Sequence, residues 1–378
     1  MSFDLILKGG RVVDPSQQLD AVRDVAFAGG KVAAIGESLS GAKATRDVKG
    51  RIVTPGLIDI HTHVYWGGTS LGIDPVALAL RSAVTTLIDA GSAGAGNFLG
   101  FRRHVIEPSP IRILAYVNIS FPGIFAFSKP VMVGESNDIR LLDASECVRI
   151  AREHQDLVVG VKVRVGGTAS GPTGATPLYL ALDAADELGM PMMAHLDRLP
   201  PARHEVLPFL RAGDVLTHCY RPFPNAPVKG DGRLRAEVLE ARARGVLFDI
   251  GHGGGSFAFR TARAAMAHNF PPDIISSDAH SLSVDGPAFD QLVTMSKLLC
   301  LGMSLDDVVR ASTETPARAI RRPELGTLEV GSVGDASVLD LVGGEFDYVD
   351  VVGETVKGDQ RLFPAGMVIA GAWRDTQV

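Results

Sequence analysis

The sequence first offers chemistry at two histidines separated by one residue, His61 and His63, in the run Thr54-Pro-Gly-Leu-Ile-Asp-Ile-His-Thr-His63. Pro55-Gly56 marks a turn, and Leu57 to Ile60 is an apolar run of strand length. Side chains alternate along a strand, so His61 and His63 share one face while Thr62 takes the other. Two imidazoles on one face at a strand end can hold a metal ion. Taken alone, the pair reads more readily as core or surface histidines, so the question is whether the chain supplies more ligands.

Eight apolar runs read as strands, at 57–63, 84–90, 111–119, 157–165, 191–196, 214–219, 246–250 and 273–278. Helical patterns lie between them, among them Thr176 to Leu188, Arg235 to Arg244 and Phe257 to His268. The span 55–321 is 267 residues long, close to the ~250 typical of an eightfold β/α barrel. Runs that are apolar throughout suit a parallel sheet covered on both faces. A doubly wound open sheet is the alternative, but it would want a glycine-rich phosphate turn where His61-Thr-His63 stands. In barrels, chemistry gathers at the C-terminal strand ends. Those ends carry His61 and His63, then Asp89, Asn118, Lys162, His195, His218 and, on the eighth, Asp278.

Lys162 lies inside Val158-Val-Gly-Val-Lys-Val-Arg-Val165. An ammonium there faces a desolvation cost on the order of several kcal/mol unless it is paired or reaches the rim. The alternative is a depressed pKa and an amine able to react with carbon dioxide. The resulting carbamate has two oxygens and could bridge two cations. The flanking regions have another texture: residues 1–54 and 322–378 read as short strands with Gly/Pro punctuation, each end small for a core of its own. The expected architecture is an α/β (β/α)8 TIM barrel over 55–321, with both chain ends joined in a small β-sandwich.

The constellation resembles the amidohydrolase superfamily, in its binuclear-metal branch. There the first strand carries HxH, the fourth a carboxylated lysine, the fifth and sixth a histidine each, and the eighth an aspartate. His61, His63, Lys162, His195, His218 and Asp278 match that order. Leu5-Ile-Leu-Lys-Gly-Gly-Arg-Val-Val-Asp14 and Gly331-Ser-Val-Gly-Asp-Ala-Ser-Val-Leu-Asp340 are similar to the two halves of the family's β-sandwich. The resemblance implies two divalent cations, most simply Zn2+, given imidazole and oxygen ligands. One would sit on His61, His63, Asp278 and the Lys162 carbamate, the other on His195, His218 and the same carbamate. It further implies a hydroxide between the metals as nucleophile, with Asp278 moving its proton to the leaving group.

Dihydroorotases of the family carry an arginine two residues after the second histidine, and this chain has Tyr65 there. No cysteine falls at a ligand position, and Cys219 beside His218 should pack on the opposite face. The KVRVGG segment, Ser277-Asp-Ala-His280 and Asp249-Ile-Gly-His-Gly-Gly-Gly-Ser256 resemble a subgroup often named dihydroorotase-like. Its members remove acetyl groups from esters or amides of small 2-hydroxy or amino acids. On that reading the partner is a small acylated molecule with a carboxylate. Arg164, Asn118, His252 and His280 are the candidate substrate contacts, and Gly253 to Gly255 a place of close backbone approach. The aromatic loop 119–135 would wall the mouth or meet another subunit of a homo-oligomer. A cyclic amidase (hydantoinase or dihydroorotase type) and a non-catalytic barrel scaffold are the alternatives.

A net charge of −6 with no basic cluster argues against nucleic acid as partner. No uncharged apolar run reaches the ~18 residues of a membrane span, and the N-terminus lacks a signal-peptide pattern. Three scattered cysteines form no CxxC and fit a reducing cytoplasm.

Overall fold

The computed structural model describes residues 2–377. Seven strands pair in parallel in sequence order: Leu57–Thr62, Val84–Gly94, Arg112–Asn118, Val158–Val165, Met192–Leu196, Val215–Leu216 and Leu247–Phe248. The predicted eighth strand is a segment that bridges the two edges of this curled sheet. Ile274 pairs with Asp249 on one side and Ala279 with Thr62 on the other. It does not run on as regular strand because Asp278 sits at φ +48°, in the left-handed region. The sixth strand is shortened for the same reason, since His218 at φ +67° turns the chain out of extended geometry. Both departures fall on predicted ligands, where strained backbone re-aims a side chain.

Alternation places the site. Ile58, Ile88, Leu114, Tyr116, Met193, Val215 and Ile274 form one buried apolar cluster together with Ala317, Ile320 and Leu325. Two residues onward on the same faces come Asn118, His195 and Thr217, and four onward from Ile274 comes Asp278. The polar centre therefore rests on an apolar plug. Helix Thr176–Leu188 has the predicted bounds and stops at Gly189, whose φ of +60° is the left-handed cap glycine allows.

The two chain ends make one eight-stranded sheet. Ile52–Pro55 runs parallel to Phe3–Asp14 and antiparallel to Ala336–Val349, which joins the ends directly. Leu5, Leu7, Val25, Phe27, Val338 and Val368 share its core. Two glycine pairs of the punctuation expected between short strands, Gly9-Gly10 and Gly343-Gly344, lie inside long strands. At Gly9-Gly10 the register shifts within Phe3–Asp14, and at Gly343-Gly344 within Ala336–Val349, so both are bulges. Ser337 fastens this sheet to the barrel: its Oγ accepts from Leu57 N at 3.0 Å and donates to Ala83 O at 2.6 Å. Among the described residues no helix is long and apolar enough to cross a membrane.

Candidate metal centre

Asp278 gathers the first-strand histidines. Its Oδ1 lies 3.3 Å from Nε2 of both His61 and His63. The other ring nitrogens are held from behind. His61 Nδ1 is 2.9 Å from Thr217 Oγ1, and that hydroxyl donates to Asp249 Oδ2 at 2.6 Å. With its one proton spent on a carboxylate, the hydroxyl can only accept from His61, which puts the proton on Nδ1 and a lone pair on Nε2. His218 Nδ1 donates to Gly251 O at 2.6 Å, so its Nε2 also carries a lone pair, 2.7 Å from His195 Nδ1. His63 Nδ1 meets Ser92 Oγ at 2.9 Å. Asp89 accepts from the backbone of Ser92 and Val64, so it acts on His63 through Ser92 and through the chain.

Ligand atoms of His61, His218 and Asp278 all lie within 4.8 Å of one another, a grouping that could hold a metal ion. His63 extends it beside Asp278, and His195 extends it beside His218. Lys162 is fully buried, and its Nζ has no hydrogen-bond partner among the described residues. Gly91 makes room for it, because a Cβ at 91 would fall 2.7 Å from the lysine Cβ and Cγ. Burial brings the Lys162 pKa down to about 7. It pushes His63 to about 3 and holds His61, His195 and His218 well below the ordinary imidazole value, with neighbouring cations adding to the effect. Neutral imidazoles and an uncharged amine are the forms that bind cations and carbon dioxide. Asp278 moves up to about 6, again mainly through burial. The donor set and the orphaned lysine nitrogen thus fit divalent metal.

The centre floors a cavity of about 540 Å³. No family model matches the chain. A protein of Agrobacterium fabrum named deacetylase is 39% identical over 345 residues, 91% of this chain and 84% of that protein. Two solved structures superpose over nearly the whole length. One described as an adenine deaminase has a TM-score of 0.93 at 31% identity, covering 99% of this chain and 100% of that chain. One described as a dihydroorotase has 0.91 at 34%, covering 99% of both. The chain belongs to the amidohydrolase superfamily.

In this amidohydrolase the candidate substrate contacts separate. Arg164 and His280 line the cavity, as does Phe127 from the aromatic loop, 5.0 Å under the Arg164 guanidinium. Asn118 does not face it. Its Nδ2 donates to Gly91 O at 3.0 Å and its Oδ1 accepts from Ser120 N at 2.8 Å, so both ends of the amide are used. His252 is likewise enclosed, stacked on Phe257 and 2.7 Å from the buried Lys297 Nζ. Neither of these two expected substrate contacts lines the cavity. Within the glycine run only Gly253 is sterically required, and the neighbour that requires it is Asp278. Gly254 and Gly255 line the cavity. Tyr65 turns away from the cavity, its hydroxyl on Asn97 O at 3.3 Å and its ring 4.8 Å from Phe101. Thr217, Asp249, Ser92 and Glu135 support the site through roles that the sequence does not assign them. Asp249, at the end of the seventh strand, had position as its one signal.

Proposed function

We propose that this amidohydrolase hydrolyses an acyl, most simply acetyl, ester or amide of a small 2-hydroxy or amino acid. The supporting observation is the convergence of His61, His63, His218 and Asp278 on the floor of a cavity that also presents arginines, with the buried, unpartnered Lys162 near enough to act through space on His61, His218 and Asp278. His61, His63 and Asp278 would hold one divalent cation, His195 and His218 the other, with a Lys162 carbamate shared between them and Zn2+ the simplest occupant. Bound there, the cations supply water acidic enough to ionise near neutral pH and polarise the scissile carbonyl. Asp278 Oδ1 faces the imidazoles, which leaves Oδ2, against Gly253, to take the proton from the attacking water. That proton passes to the leaving oxygen or nitrogen as its bond to the acyl carbon breaks, giving the free acid and the 2-hydroxy or amino acid. His280 and Phe127, with ring centroids 5.7 Å apart, wall the substrate.

We also read the joined ends as a sandwich domain formed from 1–54 and 322–378 around a barrel at 55–321. A cyclic amidase is the second reading, favoured by the neighbour described as a dihydroorotase. The turned-away Tyr65 speaks against it, standing where that activity would want a carboxylate-binding arginine. Metal-replete protein should be assayed against N- and O-acetyl 2-substituted acids beside dihydroorotate and hydantoins. Turnover confined to the cyclic compounds would overturn the deacylase reading.

A further inference from the structure

Arg221 is a cation of the cavity that no acidic group answers at close range. It follows His218 through a tight turn, with its backbone N–H donating to His218 O at 3.2 Å. Its side chain lines the same cavity. One guanidinium nitrogen donates to Leu196 O. Nε is enclosed and lacks a hydrogen-bond partner among the described residues. None of their carboxylate oxygens comes within 4.0 Å of the guanidinium, and Asp197 acts on it only through space.

Other buried cations are placed differently. Arg164 gives Nη1 to Glu135 Oε2 at 3.1 Å and covers the Phe127 ring. Lys297 spends its three donors on His252, Pro287 O and Val349 O. Arg203 donates to Ala226 O and does not line the cavity. The cavity's own balance is also uneven. Arg164, Arg198 and Arg221 face it with Asp197 and Asp278 as the carboxylates, and Asp278 belongs to the metal centre. A largely enclosed guanidinium without an anion is costly. The planar fork of arginine matches a carboxylate in two parallel hydrogen bonds.

We propose that Arg221, with Arg164 as the second guanidinium, forms the subsite that binds the substrate's carboxylate and makes the enzyme selective for anionic acyl compounds. The inference rests on the deacylase reading above. Only Cys219 and Tyr220 separate Arg221 from His218, and the side chains of Arg221 and His218 both line the cavity, so the carboxylate is held close to the bond being cleaved. That proximity fits an acid whose acylated oxygen or nitrogen is on the adjacent carbon. Phe223, near Arg221 and exposed at the rim, adds an apolar edge.

The test compares an acetylated 2-hydroxy acid with its neutral carboxamide, on metal-replete wild type, Arg221→Met and Arg221→Lys. Wild type should favour the acid in kcat/KM. The preference should fall about 10- to 100-fold in Arg221→Met, mostly through KM, and partly return in Arg221→Lys. Calorimetric titration with the free 2-hydroxy acid should show the same loss of affinity in Arg221→Met at equal metal content. An unchanged preference and affinity in that variant overturns the subsite. So does a wild type that hydrolyses acid and amide alike, which leaves the deacylase reading standing. A wild type that cleaves neither overturns that reading first. Should Arg221→Met fail to fold, Arg221→Gln takes its place in both measurements.

Discussion

Gly253 and Asp278 approach so closely that a Cβ at 253 would fall 2.2 Å from Asp278 Oδ2. The glycine also sits at φ +50°, so a side chain at this position is disfavoured on two independent grounds. Gly253→Ala should therefore displace the carboxylate on which the proposed proton transfer depends. A shift near 1 Å can cost about 100-fold in rate. We expect that loss in kcat, with the protein still folded and metal still bound. Kinetics alongside metal analysis check it, and a variant with wild-type kcat would remove Asp278 Oδ2 from the mechanism.

Thr217 fixes the His61 tautomer because its hydroxyl donates to Asp249 and can only accept from the ring. Thr217→Val keeps the volume and deletes the acceptor. Loss of such a partner behind a ligating histidine typically weakens metal about 10- to 100-fold. Chelator competition should find that weakening in Thr217→Val and near-normal affinity in Thr217→Ser. Equal affinities in the two variants would refute the relay.

Lys162 should show opposite effects on stability and on binding. Its buried, unpartnered nitrogen burdens the metal-free fold. Lys162→Met should raise metal-free stability by about 1–3 kcal/mol, the cost of leaving a buried polar group without a hydrogen-bond partner. The same change should lower metal content and abolish turnover. Urea denaturation and metal analysis of one preparation test both signs, and a destabilised variant contradicts the account.

His280 gives a pH dependence with a definite sign. Burial lowers its pKa from 6.5 to about 4 in the folded chain. The unfolded imidazole takes its proton first, so the unfolded state binds more protons between those values. Stability is then fully present above about pH 6.5 and falls as pH drops toward 4, by on the order of 3 kcal/mol. Metal-free wild type should lose that much more than His280→Gln over the window in denaturant titrations. Parallel curves for the two proteins would contradict it.

Much of this was readable because strand parity is a strong constraint. Once His61 and Lys162 are placed in strands, the direction of every second residue follows. Parity does not tell whether a polar side chain still has donors to offer. Asn118 lies on the correct face, yet Gly91 and Ser120 consume its amide. His252 is a candidate substrate contact by sequence, but a helix lysine distant in sequence claims its ring. The relay through Thr217 was illegible because it joins residues of three strands, none adjacent to another's motif. Glycine pairs misled in the end strands, where the backbone freedom that permits a turn also permits a bulge.

The seam between the chain's two ends has a consequence for biosynthesis. Ile52–Pro55 leads straight into the strand bearing His61 and His63, yet one of its edges is paired only by residues 336–339. A nascent polypeptide can stack its barrel helices as they emerge from the ribosome. It cannot close that edge until residues 336–339 have been translated. Metal capture should therefore follow the synthesis of residues 336–339, and a chain that terminates before them should leave a sticky β-edge beside an unfinished metal site.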